Sequence, residues 1–288
     1  MKVGLVAQRD NDRAVSLVGD IADSLQAEGV SVAVDRTTRR AFEGGAWTTA
    51  DASTPVPEGI DVADLSACDL VVSVGGDGTF LYTARGAGST PIMGVNLGEV
   101  GFLNAVSPEP AIETVREEVA HLRETGGART RQVDRLRAET DAWMLPPALN
   151  EVVVQGPQRG HGRGVDIEVR VNGSLYTADH ADGVLVATTT GSTAYNLSEG
   201  GPLVHPDVGG FLVTEMCGEA AMPPLVVDTD VEIAIRVDGA DRAIAVGDGR
   251  VQREVTPPAE IRLARADTPV NLAGPPLDFF AALGKLDA

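Results

Sequence analysis

The chain has very little cysteine, and its cysteines and histidines are not grouped. Cys68 and Cys217 are the only two cysteines in 288 residues, and neither has metal-ligand spacing to another ligand type. The four histidines form no cluster either. We therefore expect neither a structural zinc site nor a disulfide framework, and each cysteine is predicted to be a small buried apolar residue.

Long apolar runs are also absent. No stretch reaches the roughly 18–20 apolar residues that a membrane-spanning helix needs. Residues 1–6 lack the apolar core and the small-residue cleavage site of a signal peptide, and we interpret them as a first strand. These absences predict a cytoplasmic protein with no membrane association, long enough for two ordinary domains or one large one.

Lysine is almost missing, although the chain is highly charged. Lys2 and Lys285 are the only lysines, arginine supplies the remaining positive charge, and the formal net charge is −19. General binding to nucleic acid needs basic patches, so this charge argues against nucleic acid as a partner. The acidic residues are spread along the chain, as is typical of proteins from salt-loving microbes, where salt screens self-repulsion. We expect a halophilic protein.

The first part of the chain alternates strand and helix patterns. Apolar strands at residues 2–7 and 31–34 flank a helical pattern that Asn11 or Asp12 can cap and that Gly29 ends. Such a β-α-β opening predicts a parallel sheet, although its first turn lacks the dinucleotide fingerprint Gly-x-Gly-x-x-Gly. Residues 39–59 have no clear period and are predicted to be a loop.

From about residue 129 the chain changes to short alternating strands with hairpin signals such as Asn172-Gly173. This pattern predicts an antiparallel all-β unit, most simply a sandwich. The predicted fold is therefore an α/β N-terminal domain with a Rossmann-like parallel sheet (residues 1–128), an all-β sandwich C-terminal domain (residues 129–258) and a tail (residues 259–288) that packs back on the α/β domain.

A glycine-rich turn follows the apolar run at residues 71–74. Glycines at 75, 76 and 78 remove the Cβ atoms that would keep a ligand from the backbone. Exposed amides and a helix N-terminus both favour an anion such as phosphate. The carboxylate of Asp77 suits another task, either accepting a hydroxyl proton or holding a metal beside phosphates. The turn fits a phosphoryl-transfer site, and an ordinary surface turn is the equal alternative on local physics alone.

Two segments of the second half also carry polar groups in unusual density. Asn150-Glu151 opens an apolar strand, where a polar pair most often only solvates the strand end. At residues 181–202 an apolar strand runs into hydroxyl residues around Gly191 and then Tyr195. We predict that Ser192 or Thr193 caps a short helix whose N–H groups face a ligand, and that the Tyr195 ring stacks on a base. A threonine-rich β-turn is the alternative.

The glycine-rich turn, the Asn150-Glu151 pair and residues 191–195, in this order and at these separations, resemble the NAD kinase family. The resemblance covers most of the chain, including the loop at residues 94–103 and the tail at residues 279–286. It implies phosphate transfer from ATP or polyphosphate, with Mg²⁺ or another divalent metal, to the 2′-hydroxyl of the adenosine ribose of NAD, giving NADP. It also implies a homodimer or homotetramer joined through the β domain.

Two other functions remain to be weighed against this one. A lipid kinase of the related superfamily, acting on diacylglycerol or sphingoid-type substrates, would need a lipid-accepting cleft and a membrane anchor, which the acidic composition disfavours. A non-catalytic NAD(P)-binding regulator would not need the intact Asp77.

The resemblance also assigns roles to individual residues. Asp77 is the general base, Gly78 lines the same turn, and the phosphate loop comprises Gly75, Gly76 and Thr79. Asn150 and Glu151 hold a ribose, and Asp182 holds an amide or ribose group. The remaining substrate contacts are Thr193, Ala194, Tyr195, Asn196 and Ser198, with His161, His180 and Arg250 at further polar positions of the family. No side chain is assigned as a metal ligand.

Overall fold

The structure is a computed structural model that describes residues 1–49, 54–98, 101–158, 160 and 164–284. The chain divides into two compact units: Met1–Gln132 with Val270–Ala288, and Val133–Pro269. Strand Ala259–Arg265, predicted to belong to the returning tail, instead lies in the second unit, because it pairs with the antiparallel strands there.

The first unit begins with alternating strands and helices. In chain order these are β1 (Lys2–Ala7), α1 (Asp12–Ala27), β2 (Ser31–Asp35), α2 (Arg36–Glu43), β3 (Glu58–Ile60), a 3₁₀ helix (Val62–Ala67), β4 (Leu70–Gly75), α3 (Asp77–Ala87), β5 (Ile92–Asn96), α4 (Ala111–Thr125) and β6 (Thr130–Val133).

The second unit is made almost entirely of strands. They are β7 (Leu136–Glu139), β8 (Glu151–Gln155), β9 (Val165–Val171), β10 (Ser174–Ala181), β11 (Gly183–Thr188), β12 (Phe211–Met216), β13 (Leu225–Val227), β14 (Ile233–Asp238), β15 (Ala243–Gly247), β16 (Val251–Val255) and β17 (Ala259–Arg265). A 3₁₀ helix (Thr190–Thr193) and helix α5 (Tyr195–Ser198) follow β11, and the chain then returns to the first unit as β18 (Val270–Ala273) and α6 (Phe279–Leu283).

The first unit is built on a seven-stranded sheet in the order β3-β2-β1-β4-β5-β18-β6. The pairings β1–β2, β1–β4, β4–β5 and β5–β18 are parallel, which confirms the predicted α/β class and the returning tail. Helix α1 buries Val15, Val18 and Leu25 at helical spacing, and the Asn11 side chain caps it by accepting a hydrogen bond from the Ala14 N–H at 3.2 Å.

The loop predicted at residues 39–59 is partly wrong. Helix α2 extends to Glu43, and β3 begins at Glu58. The Asp35 carboxylate caps α2 by accepting hydrogen bonds from the N–H groups of Thr37 and Thr38, and Phe42 packs against Trp47 with ring centroids 4.6 Å apart. The helix contains few apolar residues, so its cap and the burial of Phe42 stabilise it instead. Residues 50–53 lie outside the described part of the chain.

The second unit contains two antiparallel sheets, in the orders β10-β9-β14-β17-β7 and β13-β12-β11-β8-β15-β16. One core cluster draws alternate apolar side chains from both, among them Ile167 and Ile235 of the first sheet and Val152 and Val186 of the second. This alternation with a shared core confirms the antiparallel β class. Cys68 of the first unit is buried as predicted, but Cys217 is exposed after β12, so the prediction for it is wrong.

The tail after β18 packs within the first unit. Asp278 caps α6, and the rings of Phe279 and Phe102 have centroids 6.0 Å apart. Within the described residues, no helix is both long and apolar enough to cross a membrane.

Candidate active site

The glycine-rich turn joins β4 to α3 at the carboxyl end of a central parallel strand. Asp77 is the first residue of α3, and Gly76 precedes it without a side-chain cap; Thr79 N–H donates to Gly76 O at 2.9 Å, so the N–H groups of Asp77 and Gly78 are the ones offered to a ligand. Gly75 has φ +155°, and a Cβ there would stand 2.7 Å from both Gln8 Cβ and Thr79 Oγ1. The fold itself therefore requires glycine at position 75.

Gly76 differs from Gly75 in its surroundings. No described atom lies within 4 Å of the point where a Gly76 Cβ would stand, and its φ of −92° suits any residue. Gly78, two residues after Gly76, is exposed. The open side of the turn is therefore where an anionic group can approach the backbone closely.

The Asp77 carboxylate is held by three donors from the segment after β5. Phe102 N–H donates to Oδ2 at 3.0 Å, while Leu103 N–H and Asn104 Nδ2 donate to Oδ1 at 3.2 and 3.1 Å. Burial raises the pKa of Asp77, and the three hydrogen bonds oppose this rise. Oδ2, with one donor, keeps the freer lone pair, so it is the oxygen better placed to accept a proton.

Asn104 reaches Asp77 because of a glycine on β5. A Cβ on Gly94 would stand 2.3 Å from Asn104 Oδ1 and 2.8 Å from Asn104 Cα, so a bare glycine is needed there. Val106 N–H donates to Gly94 O at 3.1 Å and Asn96 N–H to Val106 O at 2.8 Å, which fixes the segment on β5. The loop at residues 94–103 therefore orients the aspartate, although its residues 99 and 100 lie outside the described chain.

A cleft of about 460 Å³ lies in the same unit at the carboxyl ends of β1 and β2. Gln8, Asn11, Thr38 and Arg40 contribute to its lining. In open α/β sheets, ligands bind outside the carboxyl ends of the strands. Because Gln8 also contacts the Gly75 turn, the cleft adjoins the start of α3.

The described part of the first unit has no cluster of side chains suited to a resident metal ion. The described residues contain no group of three or more His, Cys, Asp or Glu side chains that could hold an ion. Three N–H donors already surround Asp77, and donors repel a cation. Mg²⁺ usually keeps several waters and binds through substrate phosphates, so a divalent ion fits here as part of the phosphoryl donor rather than as a protein-caged cofactor.

In the second unit, Asp248 fixes the Asn150-Glu151 pair. Its carboxylate accepts hydrogen bonds from Asn150 N–H at 2.8 Å and from Leu149 N–H at 3.1 Å, and its own N–H donates to Glu151 O at 3.0 Å. Asp248 has φ +47° in a turn after β15 and is buried. Sequence reasoning missed it, although the string Gly247-Asp248-Gly249 was a signal of the same kind as the first glycine-rich turn.

Glu151 is a buried acid with an open oxygen. Its residue is 5% exposed, and within the described residues Oε2 has no hydrogen-bond partner. Burial and then the negative charge of Asp248 raise the pKa of Glu151 to about 7, and a hydrogen bond from the Tyr195 backbone opposes the rise. A buried polar atom without a partner is rare in folded proteins, so Oε2 is a strong candidate for ligand binding.

The segment after β11 packs directly on this pair. A Cβ on Gly191 would stand 2.1 Å from Asn150 O, so only glycine permits the approach. The predicted capping by Ser192 or Thr193 is wrong, because α5 has Ala194 at its N-cap position and no side-chain cap. Ser192 Oγ instead donates to Val204 O at 3.0 Å, and Thr193 Oγ1 donates to Thr190 O at 3.5 Å, since neighbouring carbonyls compete for these hydroxyls.

Two further residues of this segment have contrasting environments. Asn196 is fully buried: its Nδ2 donates to Ser192 O at 3.3 Å and Pro202 O at 3.1 Å, and its Oδ1 accepts from Thr214 Oγ1 at 2.9 Å. The side chain of Asn196 therefore holds the segment together, and its predicted substrate contact stays a prediction. Tyr195 is partly exposed and packs against the cluster that contains Leu185, and Ser198 is exposed.

Asp182 and His180 lie away from the Asn150-Glu151 cluster. Asp182 precedes β11, whereas Gly191 follows it, so the two lie toward opposite ends of that strand. Asp182 is buried and accepts a hydrogen bond from Gly160 N–H at 3.0 Å, and His180 Nδ1 lies 2.7 Å from Asp166 Oδ1. Arg250 is exposed beside Asp248 in sequence, and His161 lies outside the described residues.

A glycine-rich turn at a parallel-strand end, with a partly buried carboxylate opening the next helix, defines the first unit as that of a phosphotransferase. Two family models match the chain: the ATP-NAD kinase N-terminal domain over residues 3–122 and the ATP-NAD kinase C-terminal domain over residues 149–274. The chain belongs to the NAD kinase family, and it is an enzyme of that family.

Similar proteins and solved structures support the assignment to the NAD kinase family. An NAD kinase of Haloarcula marismortui is 61% identical, with 99% of this chain and 100% of that protein covered, and one of Halobacterium salinarum is 56% identical, with both chains covered in full. An Archaeoglobus fulgidus NAD kinase solved in complex with ATP is 26% identical with a TM-score of 0.75, covering 100% of this chain and 99% of that one. A yeast NADH kinase solved with NADH shares the fold, with 22% identity, a TM-score of 0.85 and coverage of 99% and 87%. These matches do not favour the lipid-kinase or regulator alternatives.

Proposed function

We propose that this enzyme transfers a phosphoryl group from ATP to the 2′-hydroxyl of the adenosine ribose of NAD, giving NADP and ADP. One observation carries the assignment of the base: Asp77 opens α3 with its carboxylate oriented by three donors and its pKa raised by burial. A raised pKa makes a carboxylate a better proton acceptor, and catalytic groups depend on such tuning.

In the proposed step, Asp77 Oδ2 takes the 2′-hydroxyl proton as the bond between O2′ and the γ-phosphorus forms. The bond from that phosphorus to its bridging oxygen breaks, and the electron pair leaves with ADP. If the donor is polyphosphate, the leaving group is the chain shortened by one phosphate. The proton then passes from Asp77 to solvent. Phosphoryl transfer depends chiefly on positioning and charge stabilisation, and the general base supplies a further part of the rate enhancement.

Donor binding is assigned to the first unit. The phosphates are proposed to contact the first-turn N–H groups of α3 on the open side of Gly76 and Gly78, with Thr79 packed behind them against Gly75. The cleft beside Gln8 offers room for the remainder of the donor. Mg²⁺ enters with the donor phosphates, where it neutralises charge.

Nucleoside recognition is assigned to the second unit. Glu151 Oε2 is the group most clearly prepared for a ligand, because it is buried without a partner among the described residues. Asn150 lies beside it, and Thr193, Ala194 and Tyr195 follow the glycine that packs on Asn150. Five further contacts to NAD are proposed on the resemblance alone: Asp182, His180, Ser198, Arg250 and His161.

The direct test is an assay of the purified enzyme in molar KCl with NAD, Mg²⁺ and either ATP or polyphosphate. We expect NADP, detected by an NADP-specific dehydrogenase, to form only when donor and Mg²⁺ are both present. Reactions with NADH, and with diacylglycerol in vesicles, run in parallel. No NADP with either donor, or phosphorylation of the lipid instead, would refute the proposal.

The acidic composition supports a further proposal about the salt concentration in which the enzyme works. With a net charge of −19, the folded chain repels itself at low ionic strength, and salt screens this repulsion. We propose that the enzyme is halophilic and cytoplasmic. Its melting temperature should rise from dilute buffer to molar KCl, and an unchanged melting temperature would contradict the halophilic assignment.

The assembly state is proposed from family habit to be a homodimer or homotetramer. Light scattering of the purified enzyme in molar salt gives the mass directly, compared with 29.9 kDa for one chain. A monomer at working concentration would contradict this proposal without affecting the chemistry.

A further inference from the structure

Two buried acids of the second unit meet at the start of β8 and are held very differently. Both oxygens of Asp248 accept backbone hydrogen bonds, from Leu149 and Asn150. Glu151 accepts one from the Tyr195 backbone, while its Oε2 has no partner among the described residues. The two residues are 8% and 5% exposed, respectively, so water screens neither well.

This difference decides which acid carries the charge. Two neighbouring buried carboxylates cannot both ionise cheaply, so one of them retains its proton. Backbone N–H groups stabilise a carboxylate, and Asp248 has two of them at 2.8 and 3.1 Å. Asp248 is therefore the ionised partner, and Glu151 is left as the acid with a free oxygen.

We propose that Asp248 is a positioning residue that keeps Glu151 protonated, so that Glu151 binds the nucleotide by donating a hydrogen bond from Oε2 to a neutral ligand oxygen. A ribose hydroxyl or an amide carbonyl of NAD offers such an acceptor, whereas the free carboxylate form would require a donor. This inference rests on the proposed function, since it assumes that NAD is the ligand of Glu151.

The surrounding charges are consistent with that assignment. Two charged groups act here: Asp248 acts on Glu151, and the buried Arg135, which lies between β6 and β7, interacts with Asp248. Arg135 interacts with Asp248, which helps to keep Asp248 charged; burial lowers the pKa of Arg135, and Asp248 partly restores it. Burial and Asp248 raise the pKa of Glu151 to about 7, so the donating form is present below that pH and is lost above it.

The test is the pH dependence of NAD binding, measured by calorimetry without donor and as KM for NAD with donor. The inference predicts that binding of NAD weakens as pH rises through about 7, by up to about tenfold for each unit once the acid ionises. Binding that strengthens over the same range would show that the carboxylate form accepts a hydrogen bond, and would overturn the inference.

Three variants sharpen this result. Glu151→Gln keeps a permanent donor, so it should bind NAD within a few-fold of the wild type below pH 7 and lose the pH dependence. Glu151→Ala should bind weakly at every pH. A Glu151→Gln variant with the wild-type pH profile would overturn the assignment of the titration to Glu151.

Asp248→Asn removes the charge while retaining size and one acceptor oxygen. It should shift the loss of NAD binding to lower pH, because Glu151 then ionises more easily. A purely structural role would weaken binding equally at all pH values and would overturn the positioning role. Asp241→Asn, an exposed acid of the same unit, is the control for net charge and should leave the profile unchanged. If Asp248→Asn fails to fold, the pH dependence of NAD binding to Glu151→Gln still tests whether Glu151 is the titrating group.

Failure of this inference is distinguishable from failure of the proposed function. Wild-type enzyme that makes no NADP refutes the function, whereas NADP formation combined with the wrong direction of the pH dependence refutes only the protonated Glu151.

Discussion

Asn104 donates a hydrogen bond through Nδ2 to Asp77 Oδ1 at 3.1 Å, across 27 positions of sequence. Gly94 makes this possible, because any Cβ there would collide with Asn104. The orientation of the proposed base is therefore set by the segment after β5 rather than by its own helix. Mutations in that segment should change catalysis without touching the substrate.

Asn104→Ala tests this relationship. Losing one hydrogen bond costs about 1 kcal/mol, so we expect kcat to fall roughly fivefold with little change in KM for NAD. The lost hydrogen bond lowered the pKa of Asp77, so that pKa should rise further. A base must be unprotonated, and the acid limb of the kcat profile should therefore move to higher pH. Asn271→Ala, which removes an exposed hydrogen bond in the same unit, is the control; equal behaviour of the two variants would contradict the role of Asn104.

Gly76→Ala separates ligand space from folding. The Cβ would meet no described atom and φ is ordinary, so the melting temperature should stay near the wild-type value. Activity should fall and KM for the donor should rise, because the methyl group would occupy the space through which phosphates reach the amides.

Gly75→Ala is the comparison variant for that experiment. It should destabilise the fold through positive φ and contacts at 2.7 Å. A Gly76→Ala enzyme with normal donor kinetics would show that the backbone there does not approach the phosphates.

Gly191→Ala tests the packing of the second unit on Asn150. A Cβ only 2.1 Å from Asn150 O must displace backbone, which typically costs about 1–3 kcal/mol. We expect a lower denaturation midpoint together with weaker NAD binding. Gly209→Ala, where no described atom lies within 4 Å of the added Cβ, should change neither. Comparable urea midpoints for the two variants would refute the close packing.

The buried acid Glu151 also makes stability depend on pH. Its pKa rises from 4.5 to about 7 on folding, so the folded state favours its protonated form. Its ionisation therefore costs stability progressively as pH increases from about 4.5 to about 7. Glu151→Gln avoids this cost and should stabilise the protein by roughly 1–3 kcal/mol above that range, with little effect below it. Equal stabilisation at low and high pH, measured by urea unfolding, would contradict the burial of an ionising group.

The parts of the fold that could be predicted from the sequence are those determined by residues close together in the chain. Asn11 before a helical apolar stripe, and alternation at residues 166–171 before the Asn172-Gly173 turn, each gave the correct element, because capping and burial act within a few residues. Helix α2 was missed since Phe42 and the nearby Trp47 are buried in the core of the first unit, a tertiary contact that local periodicity does not show.

The candidate site shows the same division. Asp77 stood out from its glycine-rich neighbours, and Glu151 was singled out through the family resemblance. Asn104 and the role of Asp248 were missed, because each acts on a residue that is far away in sequence, although the glycines around Asp248 did mark its turn. The predicted caps at Ser192 and Thr193 were wrong because the acceptors of those hydroxyls depend on the folded backbone around them. The burial of the Asn196 amide could not be predicted for the same reason, since it is a property of tertiary packing.

The central claim is that Asp77 is the base for phosphorylation of NAD, and Asp77→Asn tests it most directly. Asparagine keeps the shape of the side chain but cannot accept the hydroxyl proton. The measurement is NADP formation at saturating NAD, ATP and Mg²⁺ in molar KCl, with NAD affinity determined by calorimetry on the same sample. We predict that kcat falls by about 10²–10⁴-fold while the Kd for NAD and the melting temperature stay close to wild type. Turnover of Asp77→Asn within a few-fold of the wild-type rate would contradict the account.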